Sequence, residues 1–398
     1  MTRIELFRKT YERAPDGEAF CPYRICPLGA HIDHQKGRVT GFAIDKGVHI
    51  SFGVKQNGVV ELVSRQFGKR AQWHVRCTPC DKQGDWADYL RGATIALAEK
   101  YELRRGVCGV IEGDLPIGGL SSSAAVTIAY LSALCRANDL SVPRHEIMTM
   151  ALMAENEYVG VSCGKLDQSC EIYSKANHLL YMNPADDTYE LIPTNPDMKP
   201  YKIAIFFSGV ERSLAQTGYN SRVDECRVTA YTILNMEGNW RKKLDETYLS
   251  DVPYEVYLRH KNKLPENFVK RAEHWFGETR RVHEGVEAWK RGDLDTFGKL
   301  IFESGRSSIY NYEAGSPELI KLYEIMCETD GIYGGRFSGA GFKGGCMAFV
   351  DPEKADAVIE SVGEKYLTAF PELRGKYAAT LCDSADGVFL GKTGRRHS

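Results

Sequence analysis

The segment Gly113-Asp114-Leu115-Pro116-Ile117-Gly118-Gly119-Leu120-Ser121-Ser122-Ser123-Ala124-Ala125 combines residue types that suit anion binding. Glycines let backbone N–H groups come close to an anion, the serines add hydroxyls, and an alanine-rich helix starts at once. Free N–H donors and the positive end of a helix dipole are what a phosphate group needs. No Gly-Lys-Ser/Thr follows, so this is not a Walker A loop. Taken alone, the segment reads equally well as a flexible turn with a serine helix cap.

Two further segments stand out. Residues 334–346 hold Gly334, Gly335, Gly339, Gly341, Gly344 and Gly345 next to an apolar run. Glycine at that density is entropically unfavourable and points to close backbone approach, which a simple bulge explains less well. Nearer the start, Pro22-Tyr23-Arg24-Ile25-Cys26-Pro27-Leu28-Gly29-Ala30-His31-Ile32-Asp33-His34-Gln35 groups Arg, His and Asp in a possible recognition patch. Singly each reads as a surface-loop residue, and His34 is expected to remain one.

Elements must position these segments. Strands are expected at 47–54 and 58–63 around a Gln56-Asn57-Gly58 turn, at 109–114, from 179 to 182, at 201–208, 346–350 and 387–390. Helices are expected at 86–100, 123–135, 144–159, 222–234, 268–291 and 316–328, and residues 245–262 read as a polar, turn-rich lobe. Interleaved helices and hairpins imply an α+β fold. The chain is long enough for two domains, expected at 1–198 and 199–398, with the pattern restarting after Pro193, Pro196 and Pro200.

Composition narrows the classes. A net charge of −2 gives no basic field for nucleic acid or a membrane surface. There is no apolar stretch long enough to span a bilayer, and the N-terminus lacks a signal-peptide pattern, so a cytoplasmic location is expected. The twelve cysteines are scattered, mostly within apolar runs. Cys77 and Cys80 form the only pair two residues apart, with no second pair or histidines at zinc spacing.

Together, and in the family's order along the chain, the three segments resemble the signature motifs of GHMP kinases, most closely those of the galactokinase branch. The branch's first motif reads Pro-Gly-Arg-Val-Asn-Leu-Ile-Gly-Glu-His-Thr-Asp-Tyr, and Arg24, Gly29, His31 and Asp33 stand in register with it. Trp86-Ala87-Asp88-Tyr89 resembles its Trp-Ala-Asn-Tyr, and Cys163-Gly164-Lys165-Leu166-Asp167-Gln168 resembles its Cys-Gly-Ile-Met-Asp-Gln. The stretch 302–319 resembles a C-terminal galactokinase segment. The resemblance implies a two-domain fold with the active site in the cleft between halves, acting on a small sugar with ATP and Mg2+.

It also implies roles, which the needs of phosphoryl transfer support. Gly118, Gly119, Leu120, Ser121, Ser122, Ser123 and Ala124 would cradle the triphosphate, and Trp86 would stack on adenine unless it is simply a core residue. Ser123 and Glu155 would hold magnesium. Asp167 would face the anomeric hydroxyl as base or orienting group, with Arg24 beside it. His31, Asp33, Gly164 and Tyr219 would grip the sugar; the carboxylate of Asp33 can accept from two neighbouring hydroxyls.

One position departs from the pattern. Galactokinases have Glu where this chain has Ala30, and that Glu accepts from the sugar's 6-hydroxyl. Alanine there suits a sugar with a carboxylate at carbon 6, and the first motif also resembles that of plant-type galacturonokinases. The expected reaction is therefore formation of galacturonic acid 1-phosphate, with galactose phosphorylation as the alternative. Lys165 and Lys343 are the candidate cations for a substrate carboxylate. A non-catalytic sugar sensor is a rival, but one that would not need Ser123, Glu155 and Asp167. Mevalonate, homoserine and heptose kinases are a poorer match, because those branches do not share His31 and Asp33.

Overall fold

The structure is a computed structural model and describes residues 1–116, 119–210, 218–239, 242–342 and 344–389. Helix α1 (Arg3–Tyr11) begins at a reciprocal cap between Thr2 and Glu5. β1 (Gly17–Ile25) then pairs antiparallel with the long β2 (Val39–Lys55). β3 (Val59–Ser64) and β4 (Arg70–His74) form a hairpin, followed by α2 (Asp88–Ala98) and β5 (Gly106–Gly113). β5 inserts between β3 and β2, parallel to the first and antiparallel to the second. Next come α3 (Ser122–Ala137), α4 (Arg144–Met153), α5 (Leu166–Tyr173) and the hairpin β6 (His178–Asn183) and β7 (Thr188–Pro193).

The second half begins with β8 (Lys202–Phe207), α6 (Tyr219–Met236), α7 (Tyr254–His260), α8 (Glu266–Lys290), α9 (Leu294–Tyr310) and α10 (Pro317–Cys327). β9 (Ile332–Phe337), β10 (Gly345–Val350), α11 (Ala355–Ala369) and β11 (Ala378–Cys382) follow, giving an antiparallel sheet ordered β11-β8-β10-β9. A short β12 (Ser384–Ala385) returns to β2 in the first sheet. The result is an α+β architecture. Its two sheets share a core in which Phe42 of β2 packs on Trp289 of α8 and Phe349 of β10, at ring distances of 5.3 and 5.9 Å.

Several expectations need correction. The helix expected over 144–159 stops at Met153 and widens into a π-turn (Ala154–Val159), in which Glu155 O accepts from Gly160 and Val161 N–H. Apolar spacing continues through the turn, so periodicity cannot see it. The strand expected at 387–390 is absent at Gly387–Phe389: Gly387 N–H bonds Ser174 O at 2.8 Å and Val388 N–H bonds Glu171 O of α5 at 2.7 Å. α9 and α11 lie where no helix was expected. The polar lobe at 245–262 contains α7 and docks on the first motif, with Leu249 N–H donating to the buried Gln35 Oε1 at 3.0 Å.

Candidate active site

The glycine-serine segment leaves β5 and enters α3 through a tight turn. Gly119 has φ +80°, and a Cβ there would lie 2.9 Å from Gly345 N and 3.1 Å from Ser338 O. Gly339, at φ +70°, packs back on Gly119 just as closely. What the glycines of 334–345 approach is therefore partly the anion segment itself. Gly334 likewise lies against Gly298 of α9, where a Cβ would sit 2.2 Å from its carbonyl oxygen. Glycine is required at these contacts because backbone meets backbone there.

Ser121 precedes α3 in the left-handed region, φ 62°, and does not cap the helix. With no side chain on them, the first N–H groups of α3 remain available to an anion. Leu120 and Ala124 are buried, while Ser122 and Ser123 are half-buried. Gly118 lies outside the described residues. Ser121 Oγ donates to Asp167 Oδ2 at 2.7 Å, and Arg24 Nε donates to Asp167 Oδ1 at 2.7 Å. Arg24 also holds Gly119 O through Nη1 at 3.3 Å. Burial opposes its charge, but Asp167 outweighs that and keeps the guanidinium protonated.

Asp33 lies beside this pair and accepts Leu166 N–H at 3.2 Å. Burial, and then the neighbouring Asp167, push its pKa up to about 6. A Cβ on Gly164 would fall 2.1 Å from Asp33 Oδ2, so only glycine leaves the carboxyl its place. Tyr219 is buried at the start of α6, with its ring edge-on to His34.

Glu155, raised on the π-turn, is buried beneath the start of α3. Burial, then Asp167, push its pKa up to about 7, although the Ser123 hydroxyl faces it and Gln168 Nε2 donates to it at 2.6 Å. A buried carboxyl opposite a hydroxyl is a hard-oxygen pair that fits a divalent cation completed by phosphate oxygens and water. The Cys163 thiol donates to the same carboxyl at 3.2 Å.

His31 has φ 63° and stacks on Tyr312 at 4.2 Å. It is buried, and neither ring nitrogen has a hydrogen-bond partner among the described residues. Burial and then Arg336 drive its pKa well down, leaving a neutral ring. Ala30 is buried beside it, with its carbonyl accepting from His274 Nε2 at 3.0 Å. His34 is not a loop residue: it is buried in a 3-10 turn, bonded to Tyr312 Oη at 3.1 Å, and pushed down to about 3 by burial.

Sequence reasoning missed the scaffold beneath this loop. Glu278 of α8 is wholly buried and accepts Gly29 N–H at 2.7 Å and Ser304 Oγ at 2.6 Å. Burial opposes its charge, but Arg281 and Arg336 hold it at about 2. Its signal lay in the 302–308 stretch, whose Ser304 and Ser308 both bond Arg336.

The remaining candidates are more peripheral. Trp86 is half-buried and stacked on the exposed Phe67 at 6.2 Å. Lys165 Nζ is held by both oxygens of Asp187 at 2.6 and 2.8 Å. Lys343 lies outside the described residues. The twelve cysteines are free thiols, Cys77 and Cys80 among the exposed ones. Among the described residues, no helix is long and apolar enough to cross a membrane.

A helix start with open N–H groups, a part-buried carboxylate–arginine pair and a carboxyl opposite a serine are groups that phosphoryl transfer can use, and comparison with known proteins points to the same reaction class. The family of GHMP kinases N terminal domains matches residues 88–175, and that of GHMP kinases C terminal domains matches 286–367. A galacturonokinase of Arabidopsis thaliana is 42% identical over 391 residues, 92% of either chain, and a galactokinase of Lactobacillus helveticus is 31% identical over 98% of this chain and 100% of its own. The crystal structure of Lactococcus lactis galactokinase complexed with galactose superposes with a TM-score of 0.86 at 26% identity, covering 97% of this chain and 98% of that one. This chain belongs to the GHMP kinases, in the galactokinase family, and has their fold. It is an ATP-dependent sugar kinase.

Proposed function

We propose that this kinase phosphorylates the anomeric hydroxyl of D-galacturonic acid, giving galacturonate 1-phosphate. Ala30 carries the reading. It is buried beside His31, at the position where galactokinases have a Glu for the sugar's 6-hydroxyl. A Glu there would repel a substrate carboxylate ~4 Å away by ~4 kcal/mol at an effective dielectric of 20, about a thousandfold in affinity. The 42% identity to a galacturonokinase supports the same substrate. The unpartnered His31 ring offers a donor beside Ala30, whereas Lys165 would first have to leave Asp187.

In this reading Asp33 accepts from neighbouring sugar hydroxyls in the space that Gly164 leaves, and Tyr219 closes the pocket. Asp167 receives the proton of the anomeric hydroxyl as that oxygen bonds to the γ-phosphorus and the bond to the β-phosphate oxygen breaks. Arg24 offsets charge beside the reacting group. Residues 118–124 bind the phosphates, and Trp86 borders the adenine. Ser123 and Glu155 would hold Mg2+, which supplies charge compensation to the phosphates. A location in the cytoplasm and a domain boundary near residue 199 belong to the same reading.

A coupled ATP assay across galacturonate, glucuronate, galactose and arabinose tests the substrate. Galacturonate should be turned over best, and Ala30→Glu should depress it far more than galactose. Galactose as the preferred substrate would overturn the assignment, and equal losses on both sugars would remove the role given to Ala30.

A further inference from the structure

Behind Asp167 lies a carboxyl to which none of these roles falls. Glu171 follows Asp167 by four residues on α5, so both side chains leave the same face of the helix. Its residue is completely buried. Oε1 has no hydrogen-bond partner among the described residues, Oε2 accepts from the Cys21 thiol at 3.8 Å, and the Ser121 hydroxyl faces the carboxyl. The backbone at this point is anchored as well, since Glu171 O accepts Val388 N–H at 2.7 Å. A polar group so enclosed, with an oxygen unsatisfied, calls for an explanation beyond packing.

The surroundings restrict what it can do. Asp167, Arg24, Glu155 and Ser121 all act on it, and Tyr23 and Cys21 of β1 and Cys170 of α5 adjoin it. Arg24 already serves Asp167 at 2.7 Å, so a second buried anion here would lack a cation of its own. Burial and then Asp167 push the Glu171 carboxyl well above the usual range, toward its protonated form. A protonated carboxyl has one O–H to donate. The neutral polar side chain beside it is Ser121, whose own O–H goes to Asp167 Oδ2 rather than to the cap of α3.

We propose that Glu171 is a positioning residue that acts through the Ser121 hydroxyl to hold Asp167 in its working orientation. The carboxylic acid donates to Ser121 Oγ, and Ser121 donates to Asp167 Oδ2. Arg24 holds the other oxygen of Asp167, so the carboxylate plane is set from both sides. Without the first donor, the Ser121 hydroxyl is free to rotate toward the open end of α3 or a bound phosphate, and Asp167 loses one of its two supports. The proposal rests on the reading that Asp167 faces the sugar hydroxyl, but not on which sugar that is.

Steady-state kinetics on the best sugar substrate test it, using Glu171→Met, Glu171→Gln, Ser121→Ala, the Glu171→Met/Ser121→Ala double variant and Asp167→Asn. Glu171→Met keeps the volume without a donor, and should lower kcat about tenfold or more while leaving both KM values within about twofold. Glu171→Gln retains a donor in its amide and should keep kcat within about threefold of the parent. The double variant should lose no more than the worse single one, because the two residues form one chain. An unchanged kcat in Glu171→Met, equal impairment in Glu171→Gln, or additive losses would each overturn the proposal. Should Glu171→Met not fold, the Glu171→Gln result decides, since impairment there contradicts a neutral donor and parental kcat meets the expectation. Asp167→Asn separates the two ideas. If it is inactive while Glu171→Met is normal, only the proposal fails; if it is fully active, the reading of Asp167 falls first.

Discussion

Gly164 and Asp33 stand so close that a Cβ on Gly164 would lie 2.1 Å from Asp33 Oδ2 and 2.4 Å from its Cγ. The two come from segments more than a hundred residues apart in the chain, and the glycine exists to make room for the carboxyl. Gly164→Ala should therefore displace Asp33 without touching the phosphate segment. We expect kcat/KM for the sugar to fall about 100-fold, a loss typical of misplacement near 1 Å. KM for ATP should stay within a few-fold. Kinetics with each substrate varied in turn check this; equal damage to both KM values would argue against it.

Glu155 gives a pH-dependent prediction. Its carboxyl is raised from 4.5 to about 7 by burial and Asp167. The folded state thus holds a proton that the unfolded state releases, and stability must fall as pH rises between these values. The loss is absent below about pH 4.5, grows up to about pH 7 and then levels off, reaching about 3 kcal/mol. Glu155→Gln should remove it. Without metal or nucleotide, the variant's thermal midpoint should match the parent near pH 4 and exceed it increasingly toward neutrality. Added Mg2+ with nucleotide should stabilise the parent more than the variant.

Lys165 supplies a contrast. Its ammonium is paired with Asp187 at the exposed β6–β7 turn, an arrangement generally worth less than ~1 kcal/mol. Lys165→Met should leave the thermal midpoint nearly unchanged. If the ion pair persists when substrate binds, KM for galacturonate should move less than about threefold. A tenfold rise would show that the lysine leaves Asp187 for the substrate carboxylate.

The legibility of the chain followed the range of the interactions involved. The glycine-serine run and the helix after it were readable because they form a local unit: glycine, hydroxyls and α3 are neighbours in the chain. The α+β class was likewise readable, since strand and helix periodicities are local patterns. The π-turn that raises Glu155 was not, because its i to i+5 bonds leave the apolar spacing intact. α9 was obscured because its small, polar Ser304, Gly305, Ser307 and Ser308 look like a loop until Arg336 and Tyr323 pack on them.

The sequence by itself determined the family's motifs, their order, and the substitution at Ala30, because residue identity needs no folding to be read. Tertiary structure alone decided what those residues face. His34 becomes a buried partner of Tyr312, and Glu278 of the second half holds the loop that carries Ala30. Such pairings depend on how two sheets share one core, and no local propensity encodes a distance between them.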